Sequence, residues 1–96
     1  MLGRVKGRSL LLSGVPTRKK LSSRKTKAAI ALAKVLRVHR HALGLSQEVF
    51  AERVGLSKNY IGNLERGEYE PSVSTLVEAA KQLNLKAADL VREAGL

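Results

Sequence analysis

The chain is predicted to fold as an all-α domain of five helices behind a basic N-terminal tail. Three observations predict it. Apolar residues recur at i, i+3, i+4 spacing in the stretches beyond residue 26, and each stretch is punctuated by Ser or Thr before it or by Gly or Asn after it. No stretch alternates apolar and polar residues as a half-buried strand would, and Phe50, Tyr60 and Tyr69 are the only aromatics. Finally, Ala51 lies four residues before Gly55 and Ile61 six after it, the spacing of two short helices meeting at a tight turn.

The first helix is expected from a Thr26 cap to about Ala42, with Ile30, Leu32, Ala33, Val35, Leu36 and Leu43 inward and Gly44 as its stop. Ser46 caps the second, which ends at Val54 before Gly55. Ser57 caps the third, which ends near Glu65 and Arg66 with Gly67 behind it. Glu68 to Pro71 reads as a loop. Ser72 caps a fourth helix from Val73 to about Leu83, with Val73, Leu76, Ala80 and Leu83 on its stripe and Asn84 closing it. A fifth, Ala87 to Glu93, carries Leu90, Val91 and Ala94 before Gly95. Leu90, Val91 and Leu96 fit either a seam between two copies or packing within the domain.

Ninety-six residues suit one small domain, divided here into a basic flexible arm, 1–25, and a folded unit, 26–96. Its core is modest, so pairing with a second copy would add stability. No cysteine is present, which leaves no disulfide or thiolate metal site. The net charge of +10 is uneven. Residues 1–27 hold nine cations (Arg4, Lys6, Arg8, Arg18, Lys19, Lys20, Arg24, Lys25, Lys27) and no acid, whereas residues 28–96 hold nine cations and eight acids. A segment of that kind suits nucleic acid, since each phosphate contact releases condensed counterions. A solvated leader is the plain alternative, and its acid-free composition also overlaps with organellar transit peptides. The run Leu10-Leu11-Leu12 is too short for a secretory segment, and no stretch approaches the ~20 apolar residues of a membrane span.

The turn at Gly55 has the form of a helix-turn-helix. Small Ala51 lets the helices approach, and Gly55 supplies left-handed backbone. Phe50, Val54, Leu56, Ile61 and Leu64 would share one core, leaving Lys58, Asn59 and Asn63 outward. Lys58 can donate to guanine O6 and N7 or to a phosphate, and Asn59 and Asn63 can pair bidentately with adenine. An ordinary exposed polar face is the alternative for each residue taken alone. Tyr60 reads as backbone packing or a phosphate donor, because single-stranded binders need several exposed aromatics. His39 and His41, two apart on a helix, diverge and offer no metal site. No phosphate-binding glycine loop, His-Glu-x-x-His or Ser–His arrangement suggests catalysis.

Residues 31–92 resemble the lambda-repressor-like, Cro-type (XRE) helix-turn-helix family. The resemblance rests on Lys34-Val35-Leu36-Arg37-Val38-His39-Arg40, Gly44-Leu45-Ser46-Gln47-Glu48, Phe50-Ala51, Gly55-Leu56-Ser57, Tyr60-Ile61, Leu64-Glu65-Arg66-Gly67 and Pro71-Ser72. It implies a compact five-helix domain whose third helix enters the major groove while the second crosses the backbone. It places Lys58, Asn59 and Asn63 at base-reading positions. Ser46, Gln47, Ser57 and Arg66 fall at backbone contacts, with Tyr60 a further candidate. Arg40 and Glu65 match a buried structural ion pair. Two residues depart from the pattern. Gly62 stands where relatives usually carry a larger side chain, at a cost of about 1 kcal/mol in helix propensity against Ala. Glu70 stands where some relatives place a cation, so no phosphate contact is assigned there.

The expectation is therefore a cytoplasmic, nucleoid-associated regulator of bacterial or phage type. It would bind a double-stranded DNA operator as a homodimer and repress by occupancy, without cofactor, metal or enzymatic activity. An antitoxin that binds both DNA and a partner toxin is the alternative, and an undetected metal-dependent nuclease the more distant one.

Overall fold

A computed structural model describes residues 25–96, so the arm expected over 1–25 lies outside the described residues except for Lys25. Five helices follow in order: α1 (Lys27–Ala42), α2 (Gln47–Val54), α3 (Lys58–Glu65), α4 (Val73–Gln82) and α5 (Ala87–Glu93). No strand occurs among the described residues.

Local chemistry explains where each helix starts and stops. Thr26, Ser46, Ser57 and Ser72 hold extended backbone, and each side-chain oxygen accepts from the N–H three residues on, satisfying one orphan donor of the first turn. α5 is capped from the other side, with the Asp89 carboxylate accepting from the Lys86 N–H at 2.9 Å. That bond, reinforced by Arg92, holds the Asp89 carboxyl below the usual carboxylate range. Each helix ends at one residue of positive φ, namely Gly44, Gly55, Gly67, Asn84 and Gly95. At each end the following N–H donates to the carbonyl five residues back, as from Leu56 to Ala51 at 2.9 Å. Gly55, at φ 84°, supplies the left-handed backbone of the turn between α2 and α3.

Phe50, Leu36, Ile61 and Leu90 are the largest fully buried apolar side chains, and they join α1, α2, α3 and α5 in one core with Leu76, Ala79 and Ala80 of α4 and Leu83 at its end. α3 packs between α1 and α2, α4 lies on α2, and α5 closes back against α1. Leu90 is wholly inside and Val91 packs against the core, whereas Leu96 is exposed.

Some expected inward positions are turned out. Ile30 is 52% exposed, Leu43 45% and Val73 78%. Leu43 and Val73 sit at helix ends, and Ile30 lies about 100° around α1 from the buried Ala29, off the core face. Ala29 takes the inward place in α1 and Ala79 joins it in α4. The Ile30 backbone is nonetheless covered by Gly67, where a Cβ would stand 3.2 Å from the Ile30 Cα. Two loop acids also hold this end of α1. Thr26 Oγ1 donates to Glu70 at 2.6 Å, and Lys25 pairs with Glu68 at 3.4 Å.

The polar centre of the domain is Arg40 with Glu65, whose side chain is 1% exposed. Arg40 Nε and Nη2 donate to the two carboxylate oxygens at 2.7 and 2.9 Å, a bidentate fork that a lysine could not make. Arg40 Nη1 donates to the Leu45 carbonyl at 2.7 Å, and Gln47 Nε2 donates to Glu65 Oε1 at 3.0 Å. Arg37 adds a hydrogen bond to the Glu65 backbone carbonyl. One cluster thereby joins α1, the α1–α2 turn, α2 and the end of α3.

Removing one partner strands a buried charge. Glu65→Gln and Arg40→Met are each expected to lower unfolding free energy by about 3–5 kcal/mol in urea titrations followed by circular dichroism. A loss under 1 kcal/mol would show the cluster to be incidental to stability.

Candidate nucleic-acid interface

With Ile61 and Leu64 inward and Glu65 locked to α1, α3 turns Lys58 and Asn59 to solvent and leaves Tyr60 and Asn63 at its border. Lys58 and Asn59 are exposed and Asn63 is half-buried, all on a helix whose opposite face is core. Gln47, Lys58, Asn59, Gly62 and Arg66 line one open concavity between the start of α2 and α3. Its lining holds two cations and no carboxylate, so its field favours an anion.

The expected backbone-contact residues are arranged unequally. Ser46 Oγ and Ser57 Oγ each accept a capping bond, at 3.0 Å from Val49 N–H and Tyr60 N–H, and each hydroxyl retains a proton to donate. Both stand at helix N-termini, where first-turn N–H groups have no helical partner and suit an oxyanion. Gln47 is different. Its Nε2 is turned inward to Glu65, which ties the side chain to the buried cluster while its Oε1 still borders the concavity near Gly62. Tyr60 stacks on Tyr69, ring centroids 6.1 Å apart and planes 14° apart, which fixes its ring beside the loop after α3. Arg66 folds back over α3 and donates to Asn63 Oδ1. Glu68 and Glu70 face the start of α1, away from any phosphate role.

Gly62 explains the Arg66 pose. The residue is buried, and a Cβ built there would stand 3.2 Å from Arg66 Nη1 and 3.8 Å from Gln47 Oε1. Its missing side chain is the seat on which the guanidinium rests. Sequence reasoning assigns no role to Arg37 or Tyr69. The Tyr60–Tyr69 pair spans the Gly67 turn, and no local pattern signals it. Arg37 lies one helical turn before Arg40, the only hint that it reaches the same place.

His39 and His41 diverge as their spacing requires. His39 Nε2 meets Glu93 of α5 at 2.7 Å, and His41 Nε2 lies 3.1 Å from Arg40 Nη2. Among the described residues no cluster of three His, Cys, Asp or Glu could hold a metal ion, and no helix is long and apolar enough to cross a membrane.

Comparison with known proteins agrees with this geometry. A model of the helix-turn-helix family matches residues 36–90. The chain is 43% identical over 65 residues to the control protein C.SmaI of Serratia marcescens, spanning 68% of this chain and 77% of that protein. It is 39% identical over 49 residues to the immunity repressor protein of Bacillus phage phi105, spanning 51% of this chain and 34% of the repressor. Among solved structures, the clp gene regulator ClgR from Corynebacterium glutamicum superposes with a TM-score of 0.70 at 31% identity, over 74% of this chain and 76% of that one. The restriction-modification controller protein C.AhdI from Aeromonas hydrophila gives 0.63 at 34% identity, over 65% and 94%. The chain belongs to the helix-turn-helix family, and within it to the DNA-binding transcriptional regulators of XRE type.

Gln47 tests the difference between a buried and an outward role. Gln47→Ala should cost about 1.5 kcal/mol in thermal or urea unfolding of the free protein, the worth of a hydrogen bond to a charged group. Gln47→Glu should cost more, by setting a second carboxylate against Glu65. Two variants as stable as the parent would show that the Gln47–Glu65 bond contributes nothing.

Proposed function

We propose that this chain represses or controls transcription by occupying a two-fold DNA operator as a homodimer, with α3 of each copy in the major groove. The observation that carries the reading is the outward row of Lys58, Asn59 and Asn63 on a helix fixed by a buried ion pair, beside the capped start of α2. Lys58 and Asn59 supply donors, and in the case of Asn59 an acceptor, suited to base edges. Ser46, Ser57, the first N–H groups of α2 and α3, and the Tyr60 hydroxyl are suited to phosphates, which set register without carrying sequence. Relatives named as control, controller and repressor proteins support regulation by DNA occupancy, and none of them supports the antitoxin reading. Two recognition helices one turn of B-DNA apart, about 34 Å, would make the operator palindromic.

The residues before Lys25 carry seven of the nine cations of the tail and are assigned to sequence-independent attraction. Deleting residues 1–24 should flatten the slope of log affinity against log salt, by about 0.9 for each phosphate that the segment neutralises. An unchanged slope would remove the segment from the interface.

Selection of bound duplexes from a random pool tests the base-reading assignment. The parent should return inverted half-sites with centres about 10 base pairs apart. Lys58→Ala and Asn59→Ala should each relax one half-site position by about 1–3 kcal/mol of discrimination. Uniform weakening across all sequences would demote these residues to phosphate contacts, and a pool without any consensus would refute sequence-specific binding.

A further inference from the structure

The contact between Arg66 and Asn63 restricts what the recognition helix can read. A guanidinium has five donors and no acceptor, so the Asn63 atom facing Arg66 must be Oδ1, whichever way an amide might otherwise be drawn. The contact is charge-assisted and lies at the exposed surface, with the guanidinium resting against Gly62. Arg66 Nη1 and Cζ lie 3.2 and 4.0 Å from the place a Cβ on Gly62 would take. Arg66 also sits at the C-terminal end of α3, where the helix dipole favours a cation. The Asn63 amide is therefore turned, and its Nδ2 donors are left for the groove.

We propose that Arg66 is a specificity-determining residue that acts through Asn63, making that position of the operator a guanine rather than an adenine. The inference rests on the reading of α3 as the base-reading helix. Bidentate recognition of adenine needs Oδ1 to accept from the N6 amino group while Nδ2 donates to N7. Oδ1 has a second lone pair, but a donor reaching it would stand beside the guanidinium N–H groups, donor against donor. Guanine presents N7 and O6, both acceptors, to an edge that offers only donors from Nδ2 and from the unused N–H groups of Arg66. Lys58 and Asn59 share the concavity with Arg66, and Gln47 Oε1 lies 3.8 Å from where a Cβ on Gly62 would stand, so the donor-only edge is that of Asn63 and Arg66 alone. Gly62 is thus a functional departure. It weakens the helix and makes room for the residue that sets the amide.

The test is selection from random duplexes with the full chain and four variants, with helix content checked by circular dichroism. Asn63→Ala identifies the half-site position that Asn63 reads, as the one position whose preference relaxes. At that position the parent should prefer guanine over adenine by about tenfold. Arg66→Ala should reverse or abolish that preference, freeing Oδ1 for adenine, while other positions keep theirs. Arg66→Lys, which still donates only, should retain guanine. Gly62→Ala, which crowds the seat, should raise the melting temperature and weaken the guanine preference. Adenine at that position in the parent, or an Arg66→Ala variant that binds all duplexes more weakly with the same consensus, would overturn the proposal and leave Arg66 a phosphate contact. A parent with no consensus at any position would overturn the base-reading function itself, and this proposal with it.

Discussion

The arrangement depends on a bidentate ion pair buried where three helices meet. Arg40 on α1 and Glu65 at the end of α3 exchange two hydrogen bonds of 2.7 and 2.9 Å in a place nearly closed to water. Desolvating two charges is expensive, and a well-packed apolar pair often does as well for stability. An apolar pair, however, has no preferred direction. The fork fixes both the rotation of α3 about its axis and its tilt against α1, and Leu45 and Gln47 draw the start of α2 into the same frame. A helix of eight residues has too little apolar surface of its own to fix its rotation closely, and its outward face would drift without such a clamp. We take orientation, more than stability, to be the function of the pair.

The helix ends were legible because short-range chemistry decides them. Ser and Thr before a helix, and Gly or Asn after it, leave a signature within four residues in the chain, and each boundary fell within about one residue of its place. The inward stripe was less legible. Periodicity gives a helix's apolar face only to within a position and not how far its neighbours reach, so Ile30 yields the inward place to Ala29 and Val73, at the start of α4, stands in solvent. Side-chain partners were least legible where no motif carries them. The resemblance implied Arg40 with Glu65, but residue types alone could not tell that Gln47 turns inward, that Tyr60 rests on Tyr69, or that Arg66 folds back on Asn63. The first two contacts join residues whose meeting depends on how helices and loop pack, whereas Asn63 and Arg66, three apart, are neighbours by helical spacing and meet over the open face of Gly62.

The two glycines around α3 show one physical theme with two uses. Gly67 lets the α1 backbone come close to the end of α3, and Gly62 lets a guanidinium lie across its outer face. The first brings scaffold elements together, and the second shapes the surface presented to a partner. Both sacrifice helix or backbone stability for proximity. The loop acids Glu68 and Glu70 serve the scaffold too, holding Lys25 and Thr26 at the start of α1, and so keep negative charge off the concavity between α2 and α3.

The proposed contact with the duplex is a single rigid face, made by α3 and the start of α2. Amide chemical-shift mapping on titration with a cognate duplex tests it most directly. Perturbations should concentrate at Ser46, Gln47 and Ser57 through Asn63, with α4 and α5 nearly silent. Perturbations centred instead on the α1–α5 side around Val38 and Ala94, with α3 unmoved, would contradict it.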